Sequence, residues 1–457
     1  MASRRKRSGT ERVLEDIRKS DAKRIKVAVT DIDGILRGKY LHKDKFLAAA
    51  ESGFGFCNVV FGWDVNDACY DNATWTGWHT GFPDSTVRLD LASYRRVPWD
   101  DGVPFFLGDF VEASGEPSAV CPRQVCKRVL ARAAKAGFKV LAGVEYEWFN
   151  FRETPQTLAA KGYIDPEPIT AGMFGYSLIR AGQNQPFFKA LMEELPDFGI
   201  PVEGLHTETG PGVYEAAIQY CEGIEAADRG VLFKAAVKEI GQRFGIMPSF
   251  MAKWSMQYPG CSGHVHQSLS DGKNNLFYDA RSPRRMSKLF ESYVAGQLAC
   301  LEDIQVFFAP TVNSYKRLVD GMWAPIKPTW GVDNRTASLR VIPGSAKSTR
   351  LETRCPGADI NAYLALAACV AAGLYGIERG LKLEAAPLEG DAAHAAKIPR
   401  LPRTLEKATA NLKRSKFARE YFGDTFVDHY VASREWEWRQ SLDAVTDWEL
   451  KRYFEII

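Results

Sequence analysis

The chain has 457 residues, of which 46% are hydrophobic and 25% charged, and its formal net charge is +3. This composition is typical of a globular protein and excludes a disordered or collagen-like chain. The nearly balanced charge gives no reason to expect a nucleic-acid-binding protein. The length predicts two domains, or one large domain with an appendage.

The N-terminal quarter of the chain is predicted to be β-rich. Residues 1–19 are basic and are expected to form a charged, partly frayed arm, with no secretory signal. Short strand-like segments continue as far as Asp109, and the composition changes near Gly115–Pro117. We therefore expect a small domain over residues 20–116 and a larger one over residues 117–457.

The larger domain alternates between predicted strands and helices. Strands are expected for KVLAGVEYEWFNF, SGHVHQSLS, ASLRVI and TRLETR. Helices are expected after Pro122, over Ala227–Phe244, from Thr404 and in the tryptophan-rich C-terminus. The most apolar segment, Ile360–Ile377, is alanine-rich and interrupted by polar residues and glycines, which predicts a buried helix and no membrane span.

Some classes of site are disfavoured by missing motifs. The nine cysteines are irregularly spaced without a CxxC pair, which predicts reduced thiols in a cytoplasmic protein and disfavours a zinc–thiolate site. Neither a Walker A sequence nor a GxGxxG dinucleotide fingerprint is present. Any ATP site must therefore be of another kind.

Two pairs of ionisable side chains lie on predicted strands. Glu145 and Glu147 share a strand face, because side chains two residues apart point the same way. They form either a solvated surface or a site where a cation relieves their repulsion. His264 and His266 also share a face, and they are either core residues or ligands of a metal beside a phosphate.

More acidic residues extend this set. The turn Gly210–Gly212 can bring Glu208 and Glu215 together, and Glu352 lies two residues before Arg354, although a structural ion pair would explain that last pair equally well. Five glutamates with one or two histidines form a ligand set that suits Mg²⁺ or Mn²⁺ better than structural zinc.

A group of cations follows the histidine strand. Arginine side chains bind phosphates and carboxylates through two parallel hydrogen bonds, and arginines together with divalent metals are typical of phosphoryl transfer. The cations are Arg317, Arg335, Arg340, Lys347, Arg350 and Arg354.

These motifs, in this order, resemble the glutamine synthetase family over nearly the whole chain. The matching segments are FGWDVND, GFPDS, VEYEWF, HTETGPGVYE, SGHVHQSL, NSYKRLVDG, NRTASLRVI and RLETRCPGADINAYLALAA. The resemblance implies an α+β fold with an N-terminal β-grasp domain and a C-terminal α/β catalytic domain that contains a curved antiparallel sheet. It also implies homo-oligomers, commonly two stacked hexameric rings with active sites shared between neighbours.

The resemblance further implies a two-step reaction in which ATP phosphorylates the γ-carboxylate of L-glutamate and a nitrogen nucleophile then displaces phosphate. It implies two or more Mg²⁺ or Mn²⁺ ions per site. The implied ligands of the first ion are Glu147, Glu208 and Glu215, and those of the second are Glu145, His264 and Glu352. The implied ATP-binding residues are His266, Ser268, Arg335, Lys347 and Arg350.

The remaining implied residues act on glutamate and on the nucleophile. Glutamate binding is implied for Gly260, Arg317 and Arg354, and a catalytic role for Asp64, Arg317 and Arg340. Asp64 matches an aspartate that is donated to the neighbouring subunit's site, where it binds and deprotonates the nucleophile.

One loop departs from the ammonia-using members of the family. Their loop after SYKRLV carries a glutamate that helps to bind ammonium, whereas here Trp323 stands in that place. An aromatic face in place of a carboxylate favours an amine with an apolar or aromatic substituent, and Val213 makes the same rim more apolar. In the alternative, Trp323 only packs under the loop and Asp64 suffices for ammonia.

Two smaller departures concern glutamate recognition and regulation. Pro259 replaces an asparagine that contacts glutamate in ammonia-using members. The segment Leu381–Pro399 contains no tyrosine, so regulation by tyrosine adenylylation is not expected.

The sequence therefore predicts an ATP-dependent ligase that forms a γ-glutamylamide from L-glutamate and an aromatic or alkyl monoamine, such as aniline, in amine catabolism. A glutamine synthetase that uses ammonia is the alternative. A catalytically inactive ring-forming scaffold is the alternative outside the enzymes.

Overall fold

The computed structural model of the protein describes residues 9–395 and 397–457. The first eight residues of the predicted arm lie outside the described residues. The rest of the arm is a helix, α1 (Gly9–Lys19), and not a frayed segment. Val13, Leu14 and the fully buried Ile17 pack against the small hydrophobic core, because they recur at helical spacing on one face.

The first sheet has five strands in the order β2-β1-β5-β4-β3. Strands β1 and β5 are parallel, and the other neighbours are antiparallel. The strands are β1 (Arg24–Thr30), β2 (Leu36–His42), β3 (Phe54–Cys57), β4 (Asp84–Val97) and β5 (Val103–Val111). All five fall within the predicted bounds of the first domain; the bounds themselves stay a prediction.

Strand β5 connects the two hydrophobic cores of the protein. It is buried at all its positions, because the sheet is covered on both faces. Phe106 and Phe110 belong to the small core around the first sheet, whereas Phe105 and Leu107 belong to the large core. Alternation along one strand therefore joins the two halves of the chain.

The second sheet has nine strands and is antiparallel except for the parallel pair β12 and β13. The main path is β12-β13-β14-β11-β6-β8-β7, and β9 and β10 also pair with β6. The strands are β6 (Lys139–Phe151), β7 (Val202–Thr207), β8 (Val213–Ile218), β9 (Cys221–Glu222), β10 (Met247–Ser249), β11 (Gly263–Ser270), β12 (Trp330–Val332), β13 (Leu339–Ile342) and β14 (Arg350–Thr353).

Helices pack on one face of this sheet, and the described chain begins and ends with a helix. They are α2 (Lys43–Ser52), α3 (Pro122–Lys135), α4 (Pro155–Ala160), α5 (Leu178–Gln183), α6 (Gln185–Asp197), α7 (Ile224–Gln242), α8 (Lys288–Phe308), α9 (Ser314–Arg317), α10 (Ala362–Glu378), α11 (Leu405–Arg414), α12 (Lys416–Phe422), α13 (Asp424–Leu442) and α14 (Asp447–Tyr453). Short 3₁₀ helices span Asn58–Phe61 and Ala392–His394.

The apolar helix α10 lies in the centre of the large core, as predicted. It packs closely on α8, where a Cβ added at Gly296 or Gly376 would collide with backbone atoms of the other helix. Glycine at these two positions therefore sets the distance between the helices. Over the described residues, none of the helices combines the length and the apolar character that crossing a bilayer requires.

The predicted tryptophan-rich C-terminal helix is wrong as a single element. It is divided into α13 and α14, and α13 begins at Asp424, twelve residues before the predicted start at Trp436. Thr446 caps the second helix by accepting a hydrogen bond from the backbone N–H of Glu449, whose side chain accepts one from the backbone N–H of Thr446. This reciprocal cap starts a new helix where a continuous one was expected.

A buried ion-pair network lies where the two sheets meet. Arg123 of α3 is 2% exposed and donates to Asp228 of α7, to Asp109 of β5 and to Asp90 of β4, each over 2.8 Å. Tyr363 of α10 donates to the same Asp228 over 2.6 Å. One guanidinium thus connects the first sheet to two core helices.

We expect the substitution Arg123→Met to lower the free energy of unfolding by about 3–5 kcal/mol, because it leaves buried carboxylates unpaired. Urea unfolding followed by circular dichroism measures this. The matched control is Lys189→Met, which removes an exposed pair of 3.8 Å with Glu193 and should cost at most about 1 kcal/mol. Equal losses in the two variants would contradict the role of the network.

A second prediction concerns acid stability. His429 of α13 is 1% exposed, and burial, together with the charge of Arg434, lowers its pKa to about 4. Since an unfolded histidine titrates near 6.5, the unfolded chain binds a proton that the folded chain does not, and stability is lost as the pH falls from 6.5 towards 4. Between pH 7 and pH 5 this loss is about 2 kcal/mol.

Urea unfolding at pH 7 and pH 5, at one protein concentration, tests this prediction. The variant His429→Leu should lose about 2 kcal/mol less than the parent protein over that interval. The same pH dependence in both proteins would show that His429 is not the group responsible.

Candidate active site

The hydrogen-bonded register of the second sheet gathers the predicted ligands on one face. Glu145 of β6 lies opposite His264 of β11, and Glu147 lies opposite Glu215 of β8. Glu352 of β14 lies opposite His266 of β11. Residues on the other face, such as Tyr146 and Trp148, are buried in the large core, so the polar face is left open for chemistry.

Glu145, His264 and Glu352, the predicted ligands of the second ion, form one candidate metal group. One ligand atom from each lies within 4.8 Å of the others. The Nδ1 atom of His264 lies 3.2 Å from Glu145 Oε1 and 3.3 Å from Glu352 Oε1. Arg340 donates to Glu352 over 2.9 Å, and Arg354 also contacts this carboxylate. Burial alone would raise the pKa of Glu352, but the charges of His264 and Arg354 hold it at about 2.

The other candidate metal group consists of His206, Glu208 and Glu215, and it corresponds to the predicted site of the first ion. The set predicted from the sequence contained Glu147 in place of His206. Glu147 accepts a hydrogen bond from the backbone N–H of Ser262 over 2.7 Å, whereas His206 Nε2 lies 3.1 Å from Glu215 Oε1. The sequence carried a signal for His206, since it precedes Glu208 by two residues at the end of a strand.

The carboxylates of this face are crowded. Burial raises the pKa of Glu215 to about 7, and the neighbouring carboxylates of Glu145 and Glu147 act in the same direction. Such groups repel unless a proton or a metal ion lies between them. Carboxylate oxygens with a single imidazole nitrogen per group fit Mg²⁺ or Mn²⁺.

A cavity of about 640 Å³, the central cavity, opens above these groups. Most of the predicted site residues line it. They are Glu145, Glu147, Glu208, Glu215, Gly260, His264, His266, Trp323, Arg335, Arg340, Arg350 and Arg354. The lining also includes residues that the sequence did not single out: Tyr176, Thr209, Ser262 and Met322.

A smaller cavity of about 220 Å³, the side cavity, adjoins it and contains the remaining predicted ATP-binding residues. Ser268 and Lys347 line it, and Glu145, His266 and Arg350 line both cavities. Arg350 Nε donates to His266 Nδ1 over 3.2 Å at the boundary. The two cavities together offer space for a phosphorylated ligand whose two ends lie in different chambers.

Four predicted residues do not line either cavity: Glu352, which is fully buried within its metal group, and Arg317, Val213 and Asp64. Arg317 is 2% exposed and donates to the carbonyl oxygen of Cys355 and to Ser262 Oγ, each over 2.9 Å. Val213 shares a strand face with Glu215 but is buried in the large core. Arg317 therefore supports the cavity wall from behind, and Val213 does not form the apolar rim that was expected.

Asp64 also lies away from the central cavity of its own chain. Its Oδ1 atom accepts hydrogen bonds from the backbone N–H groups of Asn66 and Ala68, and Oδ2 accepts one from Trp436 Nε1 over 3.0 Å. The aspartate therefore holds its own loop in place against the C-terminal helix α13.

Trp323 stands at the mouth of the central cavity with 64% of its surface exposed. Its φ of 63° lies in the left-handed region, which is costly for a bulky residue. Gly321, with φ of 75°, makes the turn before it. The loop thus holds an aromatic ring at the entrance and does not pack it into the core.

The comparisons with known proteins agree with this geometry. The family described as "Glutamine synthetase, catalytic domain" matches residues 119–453. "Type-1 glutamine synthetase 2" of Dictyostelium discoideum is 51% identical over 97% of this chain and 86% of its own. "Glutamate--isopropylamine ligase" of Pseudomonas sp is 35% identical over 98% of each chain. The solved structure "GmaS/ADP complex-Conformation 1" superimposes with a TM-score of 0.84 at 26% identity, over 97% of this chain and 99% of the other.

The chain belongs to the glutamine synthetase family. It is therefore an ATP-dependent ligase that forms C–N bonds, in a family that binds ATP and glutamate, generally uses divalent metals and is typically oligomeric. The α+β fold with a curved sheet, predicted from the sequence, is confirmed.

We expect the substitution Gly260→Ala to raise the KM for glutamate at least about tenfold. A Cβ at this position would collide with the carbonyl oxygen of Ala252 and lie 2.9 Å from Cγ of Arg317, so the cavity wall must shift, and small displacements of a binding site cost large factors. Steady-state kinetics measures the effect. Gly204→Ala, where an added Cβ meets nothing within 4 Å, is the control and should leave the KM unchanged.

Proposed function

We propose that this enzyme joins L-glutamate to an organic monoamine, aromatic or alkyl, through γ-glutamyl phosphate. The observation that carries the proposal is the exposed indole of Trp323 at the mouth of the central cavity. The segment Gly321–Pro325 contains no carboxylate that could attract ammonium. An indole face binds the apolar part of a substituted amine.

In the proposed site the acidic face would hold two or more Mg²⁺ or Mn²⁺ ions. The first would be bound by Glu147, Glu208 and Glu215, with His206 adjacent, and the second by Glu145, His264 and Glu352. When bound, the metals neutralise charge on the phosphates and on the γ-carboxylate.

The cationic side chains would bind the two anionic substrates. His266, Ser268, Arg335, Lys347 and Arg350 are proposed to hold ATP, since they line the two adjoining cavities. Gly260 and Arg354 are proposed to contact glutamate from the wall of the central cavity. Arg317, which donates to Ser262 Oγ and the Cys355 carbonyl behind that wall, would act on glutamate only by holding the wall in place.

The proposed chemistry has two steps. An oxygen of the γ-carboxylate attacks the γ-phosphorus of ATP, and ADP leaves while Arg340 stabilises the transferred phosphoryl group. The amine nitrogen then attacks the γ-carbonyl carbon and inorganic phosphate leaves. A base must accept the proton that the amine loses, and we assign this role to Asp64 of a neighbouring subunit, because Asp64 does not reach the cavity of its own chain.

This assignment requires an oligomer. We propose stacked hexameric rings in which each central cavity is completed by the next subunit's first sheet, in a cytoplasmic enzyme of amine catabolism. The relative described as a glutamate–isopropylamine ligase supports the amine substrate in this proposal.

Glutamine synthesis from ammonia is the second candidate. It is favoured by the 51% identity to a protein described as a glutamine synthetase. In that case Trp323 would have no contact with the nucleophile.

Phosphate release from ATP and glutamate with Mg²⁺ distinguishes the candidates. Ammonium, ethylamine, isopropylamine, benzylamine, aniline and putrescine are compared as nucleophiles by kcat/KM. An alkyl or aromatic monoamine should be preferred over ammonium in the parent protein, whereas the variant Trp323→Glu should shift the preference towards ammonium at least about tenfold, the factor that corresponds to about 1.4 kcal/mol.

Trp323→Phe is the matched control, because it keeps an aromatic ring and adds no charge, and it should keep the preference for the amine. If ammonium is the best substrate of the parent protein, the enzyme is a glutamine synthetase. If none of these nucleophiles supports phosphate release, neither candidate names the right nucleophile.

A further inference from the structure

A third cavity, of about 660 Å³, lies between the first sheet and helix α7. We call it the interdomain cavity. Strands β1 and β2 line it on one side, and α7 and the segment Ser249–Met251 line it on the other. Over the part of the chain that the structure describes, its lining residues all differ from those of the central and side cavities.

Two lysines one helical turn apart converge on this cavity. Lys234 and Lys238 both lie on α7, and their Nζ atoms are 5.7 Å and 6.0 Å from the ring centroid of Phe250. Lys234 Nζ also lies 5.4 Å from the ring centroid of Tyr146 and donates to the carbonyl oxygen of Ile360 over 2.7 Å. Two ammonium groups beside one ring repel each other.

The acidic residues of the cavity have partners other than Lys234 and Lys238, one of which, Lys26, belongs to the same lining. Asp33 pairs with Arg434 over 2.7 Å, and Glu239 lies 3.5 Å from Lys26. Oδ2 of Asp359 accepts hydrogen bonds from two hydroxyl groups, whereas its Oδ1 is buried and has no hydrogen-bond partner among the described residues, and the charge of Asp359 acts to raise the pKa of Lys234. Among the described residues, neither Lys234 nor Lys238 has a carboxylate oxygen within 4.0 Å of its ammonium.

Burial disfavours the charged forms of both lysines. Burial, with the like charge of Lys238 acting in the same direction, lowers the pKa of Lys234 to about 7. Desolvation also lowers the pKa of Lys238. An anion bound beside the two ammonium groups would favour their charged forms.

The rest of the lining is mixed: Lys26, Lys39 and Tyr40 add polar groups on the side of the first sheet, and the other walls are largely apolar. Ile35 and Val65 of the N-terminal part, together with Phe105, Phe250 and Met251, surround the space around the two ammonium groups. A cavity of this size, with apolar walls and a few convergent polar groups, is typical of sites for small organic molecules.

We propose that the interdomain cavity binds a small organic anion, whose carboxylate or phosphate group lies between Lys234 and Lys238 and whose apolar body contacts Phe250. Such a ligand would bridge the first sheet and the core helix α7. It would therefore stabilise the contact between the two halves of the chain without entering the central cavity.

Phenyl phosphate is the probe, because it combines a compact anion with one aromatic ring. Its binding to the full-length protein is measured by equilibrium dialysis in the presence of saturating ADP and Mg²⁺, which keep the nucleotide site filled. We expect saturable binding of about one equivalent per chain, weakened at least about tenfold in Lys238→Gln, since each such factor corresponds to the loss of one charge contact. Benzyl alcohol, the neutral comparator, should bind far more weakly than phenyl phosphate.

Lys407→Gln is the matched control, because Lys407 is an exposed lysine on α11 outside the cavity, and it should bind the probe like the parent protein. Lys238→Gln is the deciding variant, since the ammonium of Lys234 also supports the fold through Ile360. Absence of saturable binding, unchanged binding in Lys238→Gln, or equally strong binding of benzyl alcohol would each overturn the proposal.

Discussion

The pairing of β6 with β8 on one side and β11 on the other is the constraint on which the acidic site depends. It sets Glu145 opposite His264 and Glu147 opposite Glu215. A slip of one residue in either pairing would turn every second side chain to the opposite face and bury carboxylates among aromatic rings. The register is held because Trp148, on the opposite face, is fully buried in the large core. Apolar packing on one side of the sheet thus offsets the repulsion between the carboxylates on the other side.

The same logic connects the two sheets. Strand β5 contributes alternate side chains to two cores, and Arg123 ties carboxylates from the first sheet to Asp228 on α7. Helix α7 also packs on β6. Through Asp228 and α7, the position of the first sheet is therefore coupled to the strand that carries Glu145. The interdomain cavity with Lys234 lies along this path, and a ligand there would act on the junction and not on the reacting atoms.

The acidic face and the interdomain cavity differ in the partners of their charged side chains. In the acidic face, buried carboxylates are matched by arginines: Arg340 and Arg354 both contact Glu352. In the interdomain cavity, two lysines share an aromatic ring and lack a matching carboxylate among the described residues. The first arrangement suits metals and phosphoryl transfer, and the second suits a soluble anion.

That Glu145 shares a strand face with Glu147, and His264 with His266, could be predicted from the sequence, because a period of two is a local property of a strand. Which residues those faces contact depends on segments far away in the chain and could not be predicted. Contacts between distant segments place Arg317 behind the cavity wall and turn Asp64 towards Trp436, some 370 residues away along the chain. They also bring His206 beside Glu215. This contact results from the pairing of β7 with β8, and the spacing of residues within either strand does not predict it. Periodicity fixes the direction of a side chain, whereas its neighbours are fixed by the packing of the whole core, and that packing is not a property of any single segment.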